Sequence, residues 1–313
     1  MKIDLLDTPI RISWDMNCDD FSMEATLFDT VLSRVVTAQP FFVTLEQTPL
    51  LHPKIEEILN RLHAASVQLY LTCDGSTAEL QRLSELSPEQ FSLILRVEPF
   101  ITSQGIDTVR LSSVIDAVRD HSCEPAISLI PQKSNVEYLL QLISFCHENK
   151  VGRFKLPNVR IDDSFLRVGK GELLTSEDVE KLRQNFLASG SDWSGISPEI
   201  HDLFLWEVLA PDRMESRSEY GGCQAGNSLA HIKADGTVLP CLSWPVVIGD
   251  LSLESFADIW QSSGRHAIRK KIEKQPAGCV DCNDFQICFG GCRGLAETVG
   301  STGGRDPMCG GPR

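Results

Sequence analysis

The chain of 313 residues is 42% hydrophobic and carries 29 Lys and Arg against 43 Asp and Glu, a net charge of −14. That content supports a packed core in one large and one smaller domain, and the acidic balance argues against nonspecific binding to nucleic acid or to an anionic membrane, both of which need a basic footprint. The opening MKIDLLDTPIRISW has no basic segment leading into an apolar one, and no later stretch reaches the roughly 20 apolar residues that span a bilayer, so the expected location is the cytoplasm.

From residue 10 to about 160, short apolar runs alternate with helical patterns. Runs at 10–14, 41–46, 68–74, 92–98, 126–131 and 153–157 read as strands. The intervals between them suit parallel pairing, since each return crossover takes a dozen or more residues. Ile55, Ile58, Leu59 and Leu62 stand at i, i+3, i+4, i+7, as do Val136, Leu139, Leu140 and Ile143, so each set forms one apolar helix face. The expected fold class is therefore α/β, a partial (β/α)6 barrel with its functional loops at the strand C-terminal ends; a flavodoxin-like open sheet fits the same periodicity. Thr175 with Asp178 three residues on predicts a capped helix over 175–187, with Val179, Leu182 and Phe186 on one face. The Ser- and Gly-rich stretch from Ala188 to Ile200 reads as a linker, dividing a barrel over 1–200 from a small cysteine-rich domain over 201–313.

Seven of the eleven cysteines fall in that second part: Cys223 and Cys241, then Cys279, Cys282, Cys288 and Cys292, then Cys309. Two residues between Cys279 and Cys282 let both sulfurs reach one metal centre, and Gly290 and Gly291 would let backbone pass close to an inorganic core. A disulfide framework fits poorly, because the count is odd and no secretory signal is present; a structural zinc module remains open, since Cys-x2-Cys is equally a zinc signature. Cys18, Cys73, Cys123 and Cys146 are scattered and read as small apolar residues. The segment SLAHIKADGTVLPC reads as a hairpin turned at Asp235-Gly236, in which a simple ladder sets Ala230 opposite Cys241. Residues 254–273 read as helix around Phe256, Ile259 and Trp260, and the basic run from Arg265 to Lys274 as its solvated face. Beyond Cys279 few side chains could form a core, so metal ligation is expected to supply much of the folding free energy.

With its seven cysteines, "KADGTVLPC", "GDLSLESFADIW", "CFGGCR" and "DPMC", the last third resembles a SPASM domain, the auxiliary iron–sulfur module that follows radical S-adenosylmethionine (SAM) enzymes. The resemblance implies one [4Fe-4S] cluster on Cys279, Cys282, Cys288 and Cys309 and another on Cys223, Cys241 and Cys292. Seven thiolates for eight positions leave one iron without a cysteine. His231 is a nearby candidate, although a strand histidine is more often a packing residue.

Residues 9–200 resemble the radical SAM barrel, yet its chemistry is missing from them. The family carries CxxxCxxC after the first strand; here those positions fall on Asp20, Glu24 and Leu27, or, in the register that uses Cys18, on Ser22 and Ala25. One thiolate cannot hold a [4Fe-4S] cluster. The family's GGEP motif is replaced by Glu46-Gln47-Thr48-Pro49. Asp20, Glu24 and Glu46 read as solvated residues of the barrel mouth before any catalytic role. The resemblance thus implies a degenerate core that binds no SAM and carries no radical catalysis: an accessory iron–sulfur protein of the GeoRSP type, serving an active radical SAM/SPASM enzyme and its peptide substrate as scaffold or electron relay. A SAM-independent enzyme using the open iron of the three-cysteine cluster is the second expectation, and the zinc module the third.

Overall fold

The protein is described by a computed structural model over residues 6–16, 25–210 and 221–312. Cys18, Asp20, Ser22 and Glu24 lie outside the described residues. The chain forms two compact units, one from Met1–Arg96, Ser113–Pro125 and Gln224–Lys271, the other from Val97–Ser112, Ala126–Cys223 and Ile272–Arg313.

The first unit begins with four parallel strands, β1 (Arg11–Asp15), β2 (Phe42–Glu46), β3 (Gln68–Cys73) and β4 (Ser92–Arg96), paired in that order. Alternate side chains point to opposite faces of a strand. Ile12, Trp14, Val43, Leu45, Leu69, Leu71, Leu93 and Leu95 are buried on one face. Ser13, Asp15, Thr44, Glu46, Tyr70 and Arg96 alternate with them and are only half-buried. The helix Ile55–Ala64 contributes Ile55, Ile58, Leu59 and Leu62 to the core, as its spacing predicts. Burial of such a side chain stabilises by about 1.5–3 kcal/mol relative to exposure.

In the second unit, β5 (Ile101–Thr102) and β6 (Gly105–Ile106) form a short antiparallel pair. Three further strands, β7 (Ala126–Ser128), β8 (Arg153–Leu156) and β9 (Ser197–Ile200), pair in parallel. Strand β9 corrects the linker reading of 188–200. Trp193, within the same stretch, is buried and donates through Nε1 to the Leu209 carbonyl at 2.5 Å, so its Ser and Gly content marks turns around a packed anchor rather than a loose connection. The 175–187 helix forms over Ser176–Ser189 with the reciprocal Thr175 and Asp178 cap. The helix expected around Val136 begins instead at Leu139, after a 3-10 turn over Val136–Tyr138. That tighter turn rotates the face, so Leu142, Phe145 and Cys146 are buried and Leu140 is not.

The chain then returns to the first unit. Strand β10 (Leu229–Ile232) pairs in parallel with β1, and β11 (Thr237–Leu239) and β12 (Gly249–Asp250) continue antiparallel. The hairpin register is one residue off the simple ladder: His231 faces Leu239 and Ile232 faces Val238. Lys233 N–H bonds to the Thr237 carbonyl at 2.9 Å, closing a three-residue loop that ends on Gly236 at φ 89°. A loop of that length with a left-handed glycine last is a standard hairpin solution. Both units are thus α/β with mostly parallel strands.

Candidate metal centre

Cys279, Cys282, Cys288 and Cys309 all lie in the second unit. Cys279 sits in a 3-10 turn, its N–H bonded to the Pro276 carbonyl at 2.9 Å and its carbonyl accepting from Gln275 Nε2 at 2.7 Å and from Cys282 N–H at 3.2 Å. Cys288 ends the short helix Phe285–Cys288, and Cys309 N–H bonds to the Asp306 carbonyl at 3.0 Å. Burial first, and then the charges of Cys288, Cys309 and Cys282, together push the Cys279 thiol up to about 11. The three neighbouring thiols all act on Cys279, a repulsion of the kind that a bound cation relieves. Arg293, buried next to Cys292, acts on Cys279 in the opposite sense. Among the described residues no group of three or more His, Cys, Asp or Glu is placed so that it could hold a metal ion; what links the four thiols is their spacing in the sequence and the field that three of them exert on Cys279. The donors are soft, as iron–sulfur ligation requires.

Cys292 stands on other supports. It belongs to an apolar cluster with Val159, Ile161, Phe165 and Leu295. Its N–H donates to Asp306 Oδ2 at 2.7 Å, and its sulfur accepts from Asn158 Nδ2 at 3.4 Å. Asp306 also accepts from Met308 N–H at 2.8 Å, so one buried carboxylate fixes the backbone at Cys292 and just before Cys309. Beside it lies a second buried acid, Asp202, which caps the helix Leu203–Leu209 by accepting from Phe204 N–H at 2.7 Å and Leu205 N–H at 3.2 Å. Burial and the neighbouring Asp306 hold Asp202 well above the usual carboxylate range, and burial raises Asp306 to about 6 despite its two amide donors and a hydrogen bond from Asp202. A Cβ on Gly291 would stand 2.5 Å from Asp306 Cβ, and Gly291 N–H bonds to the Cys288 carbonyl. A Cβ there would thus collide with Asp306, and φ 75° is left-handed besides, so position 291 requires glycine.

Cys223 belongs to the second unit and Cys241 to the first. The loop that follows Cys223 is fastened within the first unit by three side-chain donors to three successive carbonyls. Arg269 Nη1 reaches Ala225 O at 3.0 Å, Arg265 Nε reaches Gly226 O at 2.7 Å, and Trp260 Nε1 reaches Asn227 O at 3.0 Å. Arg265 and Arg269 are 3% exposed and share a helix face with Ile268 and Ile272. They correct the reading of the basic run as a solvated face: at i and i+4 on Ser263–Glu273 they serve carbonyls, while Lys270 and Lys271 stay outside.

His231 has both ring nitrogens engaged. Nε2 lies 3.2 Å from Asp15 Oδ2 and Nδ1 lies 2.9 Å from Ser13 Oγ, with the ring buried. It sits as a packing residue of the β1–β10 pair, with both ring nitrogens within hydrogen-bonding distance of β1 side chains. Cys73, Cys123 and Cys146 are buried, in keeping with their reading as small apolar groups, and burial raises Cys73 and Cys146 to about 12. Glu46 is half-buried at the end of β2, opposite Asp15 in the register. Gln47 and Thr48, in place of the motif's second glycine and its glutamate, are left-handed at φ 61° and 53°.

Residues 223–283 match the family model of SPASM, described as an iron-sulfur cluster-binding domain. The chain contains a SPASM domain. Around it, the chain is 22% identical over 277 residues to a PqqA peptide cyclase of Ruegeria pomeroyi, covering 83% of this chain and 71% of that one. The Streptococcus suis protein SuiB has a similar structure, with a TM-score of 0.70 at 16% identity over 98% of this chain and 78% of its own. So does anSMEcpe with bound AdoMet, at a TM-score of 0.68 and 14% identity over 96% and 90%. The α/β fold is the one these two solved structures share with this chain. Asn158, Asp202, Arg265 and Arg269 were not expected as functional residues; Trp260, within "GDLSLESFADIW", and Asp306, within "DPMC", fell inside quoted motifs.

Proposed function

We propose that this protein is an accessory iron–sulfur partner of an active peptide-modifying radical SAM/SPASM enzyme. Cys279, Cys282, Cys288 and Cys309 hold one [4Fe-4S] cluster, and Cys223, Cys241 and Cys292 hold a second. When bound, the clusters supply one-electron donor and acceptor capacity to the partner. Asp306 and Asp202 fix the backbone at Cys292 and ahead of Cys309, Arg265 and Arg269 hold the loop after Cys223, and the polar face of β1–β4 offers a surface to peptide or partner. A peptide is favoured as the shared substrate because one relative is named for the PqqA peptide and SuiB has been seen with its precursor peptide SuiA.

The observation that carries the accessory role is the single cysteine, Cys18, between β1 and β2, where a SAM-binding cluster needs three. Glu46 and Gln47 support it, because at both positions a side chain now projects from backbone that the motif's glycine would leave bare, Gln47 at φ 61°. The scaffold is read as retired from SAM chemistry, with the site of action in the cytoplasm. The test is incubation of reconstituted protein with SAM and a strong reductant. No 5′-deoxyadenosine is expected from the protein alone, and catalytic formation would refute the accessory reading.

A further inference from the structure

We infer that Asn158 sets the reduction potential of the cluster bound through Cys292, by donating a hydrogen bond to its sulfur. The inference rests on the proposed ligand role of Cys292 and adds to it a residue outside the SPASM segment. Asn158 Nδ2 lies 3.4 Å from Cys292 Sγ, within the range of an N–H···S bond, although 134 residues separate them. It follows the end of β8, where loops of such a fold carry function. Its neighbour Val159 packs in the same apolar cluster as Cys292, and that packing holds the amide against the sulfur. Cys292 cannot drift away, because its N–H is bound to Asp306 at 2.7 Å. The cleft that Asn158 lines with Pro131, Leu205 and Met308 measures about 20 Å³. That is the room of a single water, so the amide faces the thiolate and not a substrate.

Charge on the sulfurs grows when a cluster accepts an electron, and a donor aimed at a sulfur favours the reduced form. Cys292 is buried in an apolar cluster, and solvent reaches the contact only from the half-buried Asn158 side, so the donor's effect is weakly screened. Asn158 therefore raises the potential of this cluster relative to the same site without the donor.

The experiment is an anaerobic redox titration of the holoprotein followed by electron paramagnetic resonance. It compares Asn158→Leu, Asn158→Ala and, as a packing control, Val159→Ala. Cys292→Ser first identifies which signal belongs to this cluster; if it changes neither signal nor iron content, the ligand assignment itself fails. With the signal identified, both Asn158 variants are expected to shift its midpoint downward at full iron content, leaving the other cluster and the control unmoved. An unchanged or raised midpoint in the Asn158 variants overturns the inference, as does an equal shift in Val159→Ala. Loss of iron from both Asn158 variants also overturns it, by making Asn158 a requirement of the fold and not of the potential.

Discussion

His231 Nε2 lies 3.2 Å from Asp15 Oδ2, joining the strand that leads into the SPASM hairpin to the first strand of the barrel pattern. With Ser13 Oγ at 2.9 Å from the other ring nitrogen, the histidine bridges two side chains of one strand. His231→Ala takes that partner from the half-buried Asp15, and such losses cost about 1–3 kcal/mol. Thermal unfolding should show the loss. Iron content should stay at the parent value, and loss of iron confined to one cluster would restore the histidine as a ligand.

The Asp202–Asp306 pair predicts a pH-dependent apo-protein. Both acids have folded affinities for protons above their unfolded ones. Their stabilising contribution is thus fully present below about pH 4 and is lost as pH rises through about 6 and beyond, since the folded form binds more protons. For Asp306 alone, raised from 3.8 to about 6, the span is on the order of 3 kcal/mol. Asp202→Asn keeps a donor for Asp306 and a helix cap without the charge. Its melting temperature should fall less than the parent's between pH 5 and 8, and parallel curves would remove the pair from the account.

Much of this was legible in advance, for reasons that differ by element. Strands β1 to β4 and the Ile55–Leu62 face follow from periodicity, which backbone geometry imposes wherever a core lies on one side. The seven cysteines were visible because thiol spacing is itself the signal. Strand β9 was hidden in a Ser- and Gly-rich stretch, its pairing set by a tertiary neighbour. Arg265 and Arg269 looked solvated because charge on a helix usually is, and nothing local shows that Ala225 and Gly226 bring carbonyls to them. Asn158 had no local signal at all, since its meaning lies in a sulfur 134 residues away.

Arg269→Leu and Arg265→Leu each withdraw a buried donor from a buried carbonyl, at a cost of about 1–3 kcal/mol. Lysine should not rescue either position, because it lacks the planar fork. Circular dichroism melts check the stability loss. Iron analysis should show the Cys223 cluster depleted before the four-cysteine one.

Thr48 is β-branched and left-handed at φ 53°, a conformation that costs about 1–2 kcal/mol outside glycine. Thr48→Gly is expected to stabilise the protein by about 1 kcal/mol or less, because glycine also gains freedom in the unfolded chain. Denaturant titration decides; a marked loss would show that the side chain holds the turn.

The central claim is that the sulfur ligands at the carboxyl end hold all the iron this protein carries. Anaerobic purification with iron and sulfide analysis and electron paramagnetic resonance tests it most directly. The account predicts about eight iron and eight sulfide per chain, falling by about half in Cys288→Ser and in Cys292→Ser and unchanged in Cys18→Ser. A third tetranuclear cluster, or iron lost on replacing Cys18, would contradict it.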